Sequence, residues 1–304
     1  MQPTAGDCRC HIAVVVIRLL GMVFVRNYHR YNTPSVLHES LAEFYDSPIT
    51  PGIQVIPCGE HLLEVMVSDR GATTTIVIFH AAAGLDTELP LFVGQQLTND
   101  LDANVIFVSD PLLGRDSPIG WFTGSPDFAF QDELVKLIEH IQTGLGHANN
   151  LCFYGPSAGG FAALYFSHHF PGSLAISANP QTNIRDYQAN KVKEFLDSSW
   201  AGASISEIPA TTNLLPLYTE TFPNHVAYLQ CVNDTLHLEK HARPWAKATE
   251  GNAERRAFIV DDWGVGHAPP PPFLLRGILE YAVALEGDWS TLLADELFTP
   301  ELPE

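Results

Sequence analysis

The sequence predicts an α/β domain, a mainly parallel sheet flanked by helices with a small cap insertion. Two observations carry this. After an initial hairpin pattern, short apolar runs alternate with helical patterns along most of the chain. The polar residues able to do chemistry (His80, Asp110, Ser157, Asn179, Asp234 and His267) fall just beyond the carboxyl ends of those runs. Parallel sheets place their ligand sites there. At 304 residues, 46% hydrophobic and 17% charged, the chain can hold one large domain with a good core.

Taken in order, residues 12–25 are apolar apart from Arg18 and Gly21. The run is too short to span a bilayer comfortably and a charge breaks it, so no stable membrane insertion is expected. No small-residue cleavage site follows it. It reads as a strand or helix within a lead-in, 1–52, of uncertain order. Runs at 54–57 and 62–67 flank Cys58-Gly59-Glu60-His61 and read as an antiparallel hairpin. The β-branched run 75–79 reads as a buried strand, followed by His80-Ala81-Ala82-Ala83-Gly84. A helix is expected over 89–97, and a buried strand over 104–108 ending in Ser109-Asp110-Pro111. A loop rich in glycine, proline and aromatics covers 112–126. Residues 130–145 have helical periodicity, with Leu134, Leu137, Ile138 and Ile141 on one face.

Strands are expected at 174–178, 226–231 and 256–260, and a closing helix at 273–285. Between the first two lies the cap insertion, about 181–224, with a helix near 187–196. The α/β domain is placed at 53–286, followed by an acidic tail, 287–304, expected to be only partly ordered.

Residues 150–170 hold the centre of the pattern. A short apolar run, Leu151 to Tyr154, turns sharply at Gly155-Pro156-Ser157-Ala158-Gly159. A helical face of Phe161, Ala162, Leu164, Tyr165 and Phe166 follows. Strand, tight turn and helix around G-x-S-x-G is the nucleophile elbow of an α/β-hydrolase. The spacing has a steric cause. The serine sits on a strained turn so that its hydroxyl projects from the sheet edge. Strand and helix then crowd each other two residues before and two after it, where Gly155 and Gly159 relieve the contact.

A serine hydroxyl needs a histidine to take its proton, and the histidine needs a carboxylate to fix its tautomer. In this fold the chain order is serine, acid, histidine. Asp234 closes a later strand, and His267, flanked by Gly264 and Gly266, follows the last one. The expected catalytic set is therefore Ser157, Asp234 and His267. Asp110, Asp261 and Asp262 are rival acids. The oxyanion hole is expected from the N–H of Ala158 and one from Ala81 or Ala82. Trp121, Phe122 and Trp263 are candidate sugar-stacking surfaces, and His237 a candidate lining of the substrate cleft. Asp234 with His237 and His241 invites a metal reading, but no fourth ligand is evident. Cys8-Arg-Cys10-His11 lacks the second half of a metal site. Neither a metal nor any other cofactor is expected.

Net charge is −19 and the isoelectric point is near 4.9. That balance, with no basic cluster, argues against nucleic acid or an anionic membrane as partner. The five cysteines form no C-x-x-C and no disulfide framework, which fits a reducing, cytoplasmic setting.

The stretches Y-G-P-S-A-G-G-F-A-A-L and S-A-N-P-Q-T-N-I carry a resemblance. With them go D-P-L-L-G-R, I-G-W-F-T-G, L-Q-C-V-N-D-T-L-H and G-H-A-P-P-P. Over about residues 75–285 the chain resembles α/β-hydrolases found beside or fused to bacterial glycosyltransferases. These are related to the accessory-secretion glycoprotein O-acetyltransferase. The resemblance implies Ser157, Asp234 and His267 as catalytic residues, carbohydrate acyl esters as substrate and a glycosyltransferase as partner. The expected function is thus a serine esterase or acyltransferase. The alternative is a non-catalytic partner of a glycan-synthesis or secretion machine that keeps the fold.

Overall fold

The structure is a computed structural model that describes residues 15–19, 22–84, 86–113 and 118–303. The chain opens with an antiparallel hairpin of β1 (Val15–Leu19) and β2 (Met22–Arg26). The remaining strands are β3 (Ser35–Leu37), β4 (Gly52–Cys58), β5 (His61–Ser68), β6 (Thr74–Phe79), β7 (Asn104–Ser109), β8 (Asn150–Pro156), β9 (Leu174–Ala178), β10 (His225–Cys231) and β11 (Arg256–Asp261). They form one nine-stranded sheet in the order β11-β10-β9-β8-β6-β7-β5-β4-β3. Pairing is parallel except where β5 meets β4 and β7.

The chain lays β7 on one side of β6 and then returns to lay β8 on the other. Parallel sheets bind their ligands at such a reversal, beyond the carboxyl ends of the strands, here β6 and β8. His80 and Ser157 follow those two ends directly.

Alternation along the strands splits the core into two layers. Val77 and Phe79 of β6 pack with the helix layer of α3 (Phe130–Leu145) and α4 (Ala158–His168). Ile76 and Ile78 pack on the other face with Leu275, Ile278 and Leu279 of the helix Pro272–Ala284. The four α3 residues expected on one face are all fully buried. Each such side chain contributes about 1.5–3 kcal/mol of burial free energy. Every residue of α4 is buried, as befits a helix apolar all round.

Three expectations differ from the structure. The helix expected over 89–97 is only α2 (Gln95–Thr98). Pro90 has no N–H to donate, and Gly94 at φ 90° is left-handed, so the helix starts after it. The lead-in supplies β3, which pairs in parallel with β4, and α1 (Leu41–Asp46), capped by the Ser40 hydroxyl. The run 12–25 becomes the β1–β2 hairpin from residue 15 on. Just after it, Arg26 and Tyr28 hold the buried Glu64 of β5 at 2.8 and 2.6 Å. Part of the acidic tail packs against the domain. Trp289 and Leu292 are buried, and Thr299 exchanges two backbone hydrogen bonds with Phe258 of β11.

Among the described residues no helix is long and apolar enough to cross a membrane. Cys58, Cys152 and Cys231 are buried free thiols. The stretch Cys8 to His11 lies outside the described residues.

Candidate active site

Ser157 stands at φ 55°, ψ −117°, between β8 and α4. A side-chain-bearing residue holds such a conformation only where its surroundings impose it. Here the backbone N–H of Ser157 donates to Ala178 O at 2.8 Å, and its carbonyl accepts from Gly160 and Phe161. The expected crowding is present. A Cβ on Gly155 would fall 2.1 Å from Gly159 O, and one on Gly159 would fall 2.6 Å from His80 O. The second contact also presses the start of α4 against the loop that follows β6.

That loop carries Ala81 and Ala82. His80, buried beneath it, accepts the Asp110 N–H on Nε2 at 3.0 Å. Its Nδ1 therefore holds the proton and donates to Ala81 O at 2.6 Å. Burial pushes the His80 pKa down to about 4, against the Ala81 hydrogen bond, so the brace is uncharged. Among the described residues, the backbone N–H groups of Ala81, Ala82 and Ala158 have no hydrogen-bond partner. Ala158 opens α4, where the helix end favours negative charge.

Asp234 lies three residues beyond β10 and is 4% exposed. Its Oδ1 accepts the His237 backbone N–H, which caps the short helix Thr235–His237. Its Oδ2 lies 2.5 Å from His267 Nδ1 and 2.8 Å from His237 Nδ1. The two imidazoles stack with centroids 4.1 Å apart. Burial acts to raise the Asp234 pKa, but hydrogen bonds and charge from His237 and His267 outweigh it. The carboxyl is held well below the usual carboxylate range. His267 is the most accessible of the three, with a side chain 39% exposed.

The His267 loop is tied down by groups from neighbouring strand ends. Asn179, at φ 44° after β9, donates to Ala268 O at 2.8 Å and accepts from Cys231 N at 2.6 Å. Asn233 donates to Gly264 O and to Asp262.

Ser157 Oγ accepts a hydrogen bond from Gln181 Nε2 at 3.0 Å. The same nitrogen lies 2.6 Å from His237 Nε2, and Gln181 Oε1 accepts the Trp121 indole N–H at 2.9 Å. Sequence reasoning gave Gln181 no role, although it sits in the quoted N-P-Q-T run. Its proline and strand-end position were the available signal.

The structure thus brings Asp234, His267 and His237 together, with Ser157 joined to them through Gln181. It separates the rivals. Asp110 points its carboxylate at the backbone N–H groups of Leu112 and Phe122. Burial raises its pKa to about 6 against these bonds. Asp261 and Asp262 are exposed, and Asp262 braces Asn233 and Gly264.

Two expectations need correction. Trp121 and Phe122 are 0% and 1% exposed and offer no face to a sugar. Trp121 packs against Tyr187 and Phe195 of the cap insertion, which roofs it over. His237, expected to line the cleft, is 2% exposed and faces Asp234 and Gln181. His241 does not join Asp234, since its Nδ1 accepts the Thr182 N–H at 3.2 Å. Donor atoms of Asp234, His237 and His267 lie within 4.8 Å of one another.

No family model matches the chain, and no curated protein matches it. Solved structures do. The capsule O-acetyltransferase of Neisseria meningitidis serogroup A superposes with TM-score 0.56 and 14% identity, over 74% of this chain and 95% of that one. The fluorophosphonate-binding serine hydrolase F of Staphylococcus aureus gives TM-score 0.55 at 10% identity, over 79% and 100%. An S-formylglutathione hydrolase from Agrobacterium tumefaciens gives 0.52 at 12%, over 80% and 98%. With its parallel sheet, flanking helices and strained serine turn, the chain has the α/β-hydrolase fold.

Proposed function

We propose that the protein is a serine acyl-transfer enzyme acting on an ester, with a carbohydrate-linked acetyl or related acyl group as substrate. The observation that carries this is the His267–Asp234 bond together with the strained strand-to-helix turn that holds Ser157. Asp234 accepts the hydrogen bond of the His267 Nδ1–H, which fixes the tautomer whose bare Nε2 can accept the Ser157 proton. Ser157 Oγ then attacks the ester carbonyl. The negative charge on the carbonyl oxygen is met by the free N–H of Ala158 and that of Ala81 or Ala82. His267 returns the proton to the departing alcohol. Water or a sugar hydroxyl then attacks the acyl-enzyme, giving esterase or acetyltransferase activity. The likeness to a capsule O-acetyltransferase and the resemblance of the sequence motifs support the carbohydrate assignment, with a glycosyltransferase as the matching partner.

The test is fluorophosphonate labelling of wild type, Ser157→Ala and His267→Ala, read by intact mass. One adduct on wild type, absent from Ser157→Ala and strongly slowed in His267→Ala, is the expected result. A folded wild type that takes no adduct would overturn the reading and move the weight to a non-catalytic partner.

A further inference from the structure

We infer that Gln181 is a further catalytic residue, a fixed N–H donor to Ser157 Oγ that stabilises charge on that atom as the acyl-enzyme forms and breaks. The inference rests on the acyl-transfer reading above and assigns a role to a side chain that reading leaves idle.

The orientation of the amide settles the direction of the bond. The two ends of a glutamine amide are told apart by their partners. The indole N–H of Trp121 is only ever a donor, so the atom it meets at 2.9 Å is the oxygen. The –NH₂ end therefore faces Ser157 Oγ at 3.0 Å and His237 Nε2 at 2.6 Å. His237 must accept there, so its Nε2 is bare and its proton sits on Nδ1, 2.8 Å from Asp234 Oδ2. Gln181 is 0% exposed, and both –NH₂ hydrogens are used. A single direction of donation runs from Trp121 through Gln181 to His237.

Two consequences follow for Ser157. Its hydroxyl hydrogen cannot point at a donor, so it is left for the base that the acyl-transfer reading names, His267 Nε2. Its oxygen also has a donor waiting when charge arrives. In acylation the O–H proton passes to His267 Nε2, the Oγ–C bond forms, and the carbonyl pair moves onto its oxygen. That pair returns as the bond to the departing alcohol breaks, and the alcohol takes the proton from His267. In deacylation the acceptor's proton passes to His267 and its oxygen bonds the acyl carbon. The Oγ–C bond then breaks, its electron pair stays on Oγ, and Oγ recovers the proton from His267. Gln181 faces Oγ throughout, and its donation matters most in this last step, where Oγ leaves with the pair.

The experiment is stopped-flow turnover of 4-nitrophenyl acetate, which separates the acylation burst from steady-state deacylation. Gln181→Met keeps length and removes the donor. It should slow deacylation about 10- to 100-fold, the worth of a hydrogen bond to a charged group. Acetylated enzyme should accumulate, visible by intact mass. Gln181→Glu keeps an acceptor for Trp121 but sets a carboxylate beside Oγ. It should lose as much at neutral pH, and its deficit relative to wild type at the same pH should narrow as the pH falls and the carboxyl gains a proton to donate. Trp121→Phe, which keeps the buried ring and frees the amide to turn, covers the case in which Gln181→Met fails to fold. It should move the same rate in the same direction.

A burst in wild type with unchanged deacylation in folded Gln181→Met, or no change in Trp121→Phe if the first does not fold, overturns the role of Gln181 alone. A Gln181→Glu to wild-type rate ratio that does not change with pH does the same. A wild type with neither burst nor fluorophosphonate adduct overturns the acyl-transfer reading, and this inference with it.

Discussion

His237 and His267 lie face to face, 4.1 Å between ring centroids, with both Nδ1 atoms on the same oxygen of Asp234. Two imidazolium ions cannot sit so close on one carboxylate without strong repulsion. The pair is therefore unequal. The buried ring, His237, is held neutral by desolvation beside the carboxylate.

The first prediction follows from that inequality. Burial lowers the pKa of His237, outweighing the attraction of Asp234. Its ring should remain neutral, protonated on Nδ1, through the neutral range and below the ordinary histidine value. Nitrogen-15 NMR of the imidazoles reads this directly. An imidazolium signal assigned to His237 at pH 7 would contradict it.

Asp234 should show its depressed pKa in stability. A carboxyl whose folded pKa lies below its unfolded value contributes stability present above about pH 4. That contribution is lost as the pH falls toward the folded value. Asp234→Asn should cost on the order of 2 kcal/mol at pH 7, with the gap to wild type narrowing below pH about 4. Urea unfolding at the two pH values checks this. Its activity should fall on the order of 10⁴-fold, because an amide no longer fixes the His267 tautomer.

Asp110 works in the opposite sense. Its folded pKa of about 6 lies above its unfolded value, so its charge destabilises the native state at neutral pH. Wild-type stability should drop between pH about 4 and about 6, by on the order of 3 kcal/mol from this group. Asp110→Ala should remove that slope. It also strands the Leu112 and Phe122 N–H groups, at about 1–3 kcal/mol. Comparing urea midpoints of the two proteins at pH 4.5 and 7 isolates the slope. Fluorophosphonate labelling of folded Asp110→Ala should persist, in contrast to Asp234→Asn.

Gly155→Ala should be among the most damaging single changes. Its Cβ would lie 2.1 Å from a backbone oxygen that cannot step aside without moving α4. A loss on the order of 3 kcal/mol, or failure to fold, is expected. Ala158→Gly nearby, which adds no atoms, should unfold within about 1 kcal/mol of wild type in urea.

What could be read from the sequence was whatever depends on local pattern. Hydrophobic runs marked β6 to β11 to within one residue or so, and the elbow spacing marked Ser157. The serine–acid–histidine order pointed to Asp234 and His267, which the fold brings together. The rest depends on contacts remote in the chain. Trp121 looks like an exposed loop aromatic until Tyr187 and Phe195 of the insertion cover it. Gln181 resembles any polar residue after a proline until Trp121, 60 positions away, fixes its amide. The strand β3 has only three residues and no alternation to betray it, and it exists because β4 offers an edge.

The pairing of Thr299 with Phe258 has a consequence for the life of the molecule. β11 ends the sheet, and an uncovered strand edge recruits other chains. Thr299 takes both of the Phe258 backbone groups that face outward, while Arg256 holds Pro300 O at 3.0 Å. The seal is therefore made by residues synthesised well after the strand they cover, and a protease that cuts ahead of Trp289 removes it. Such a clipped molecule loses the buried Trp289 and Leu292 and exposes the outward backbone groups of Phe258 as a template for pairing with another chain.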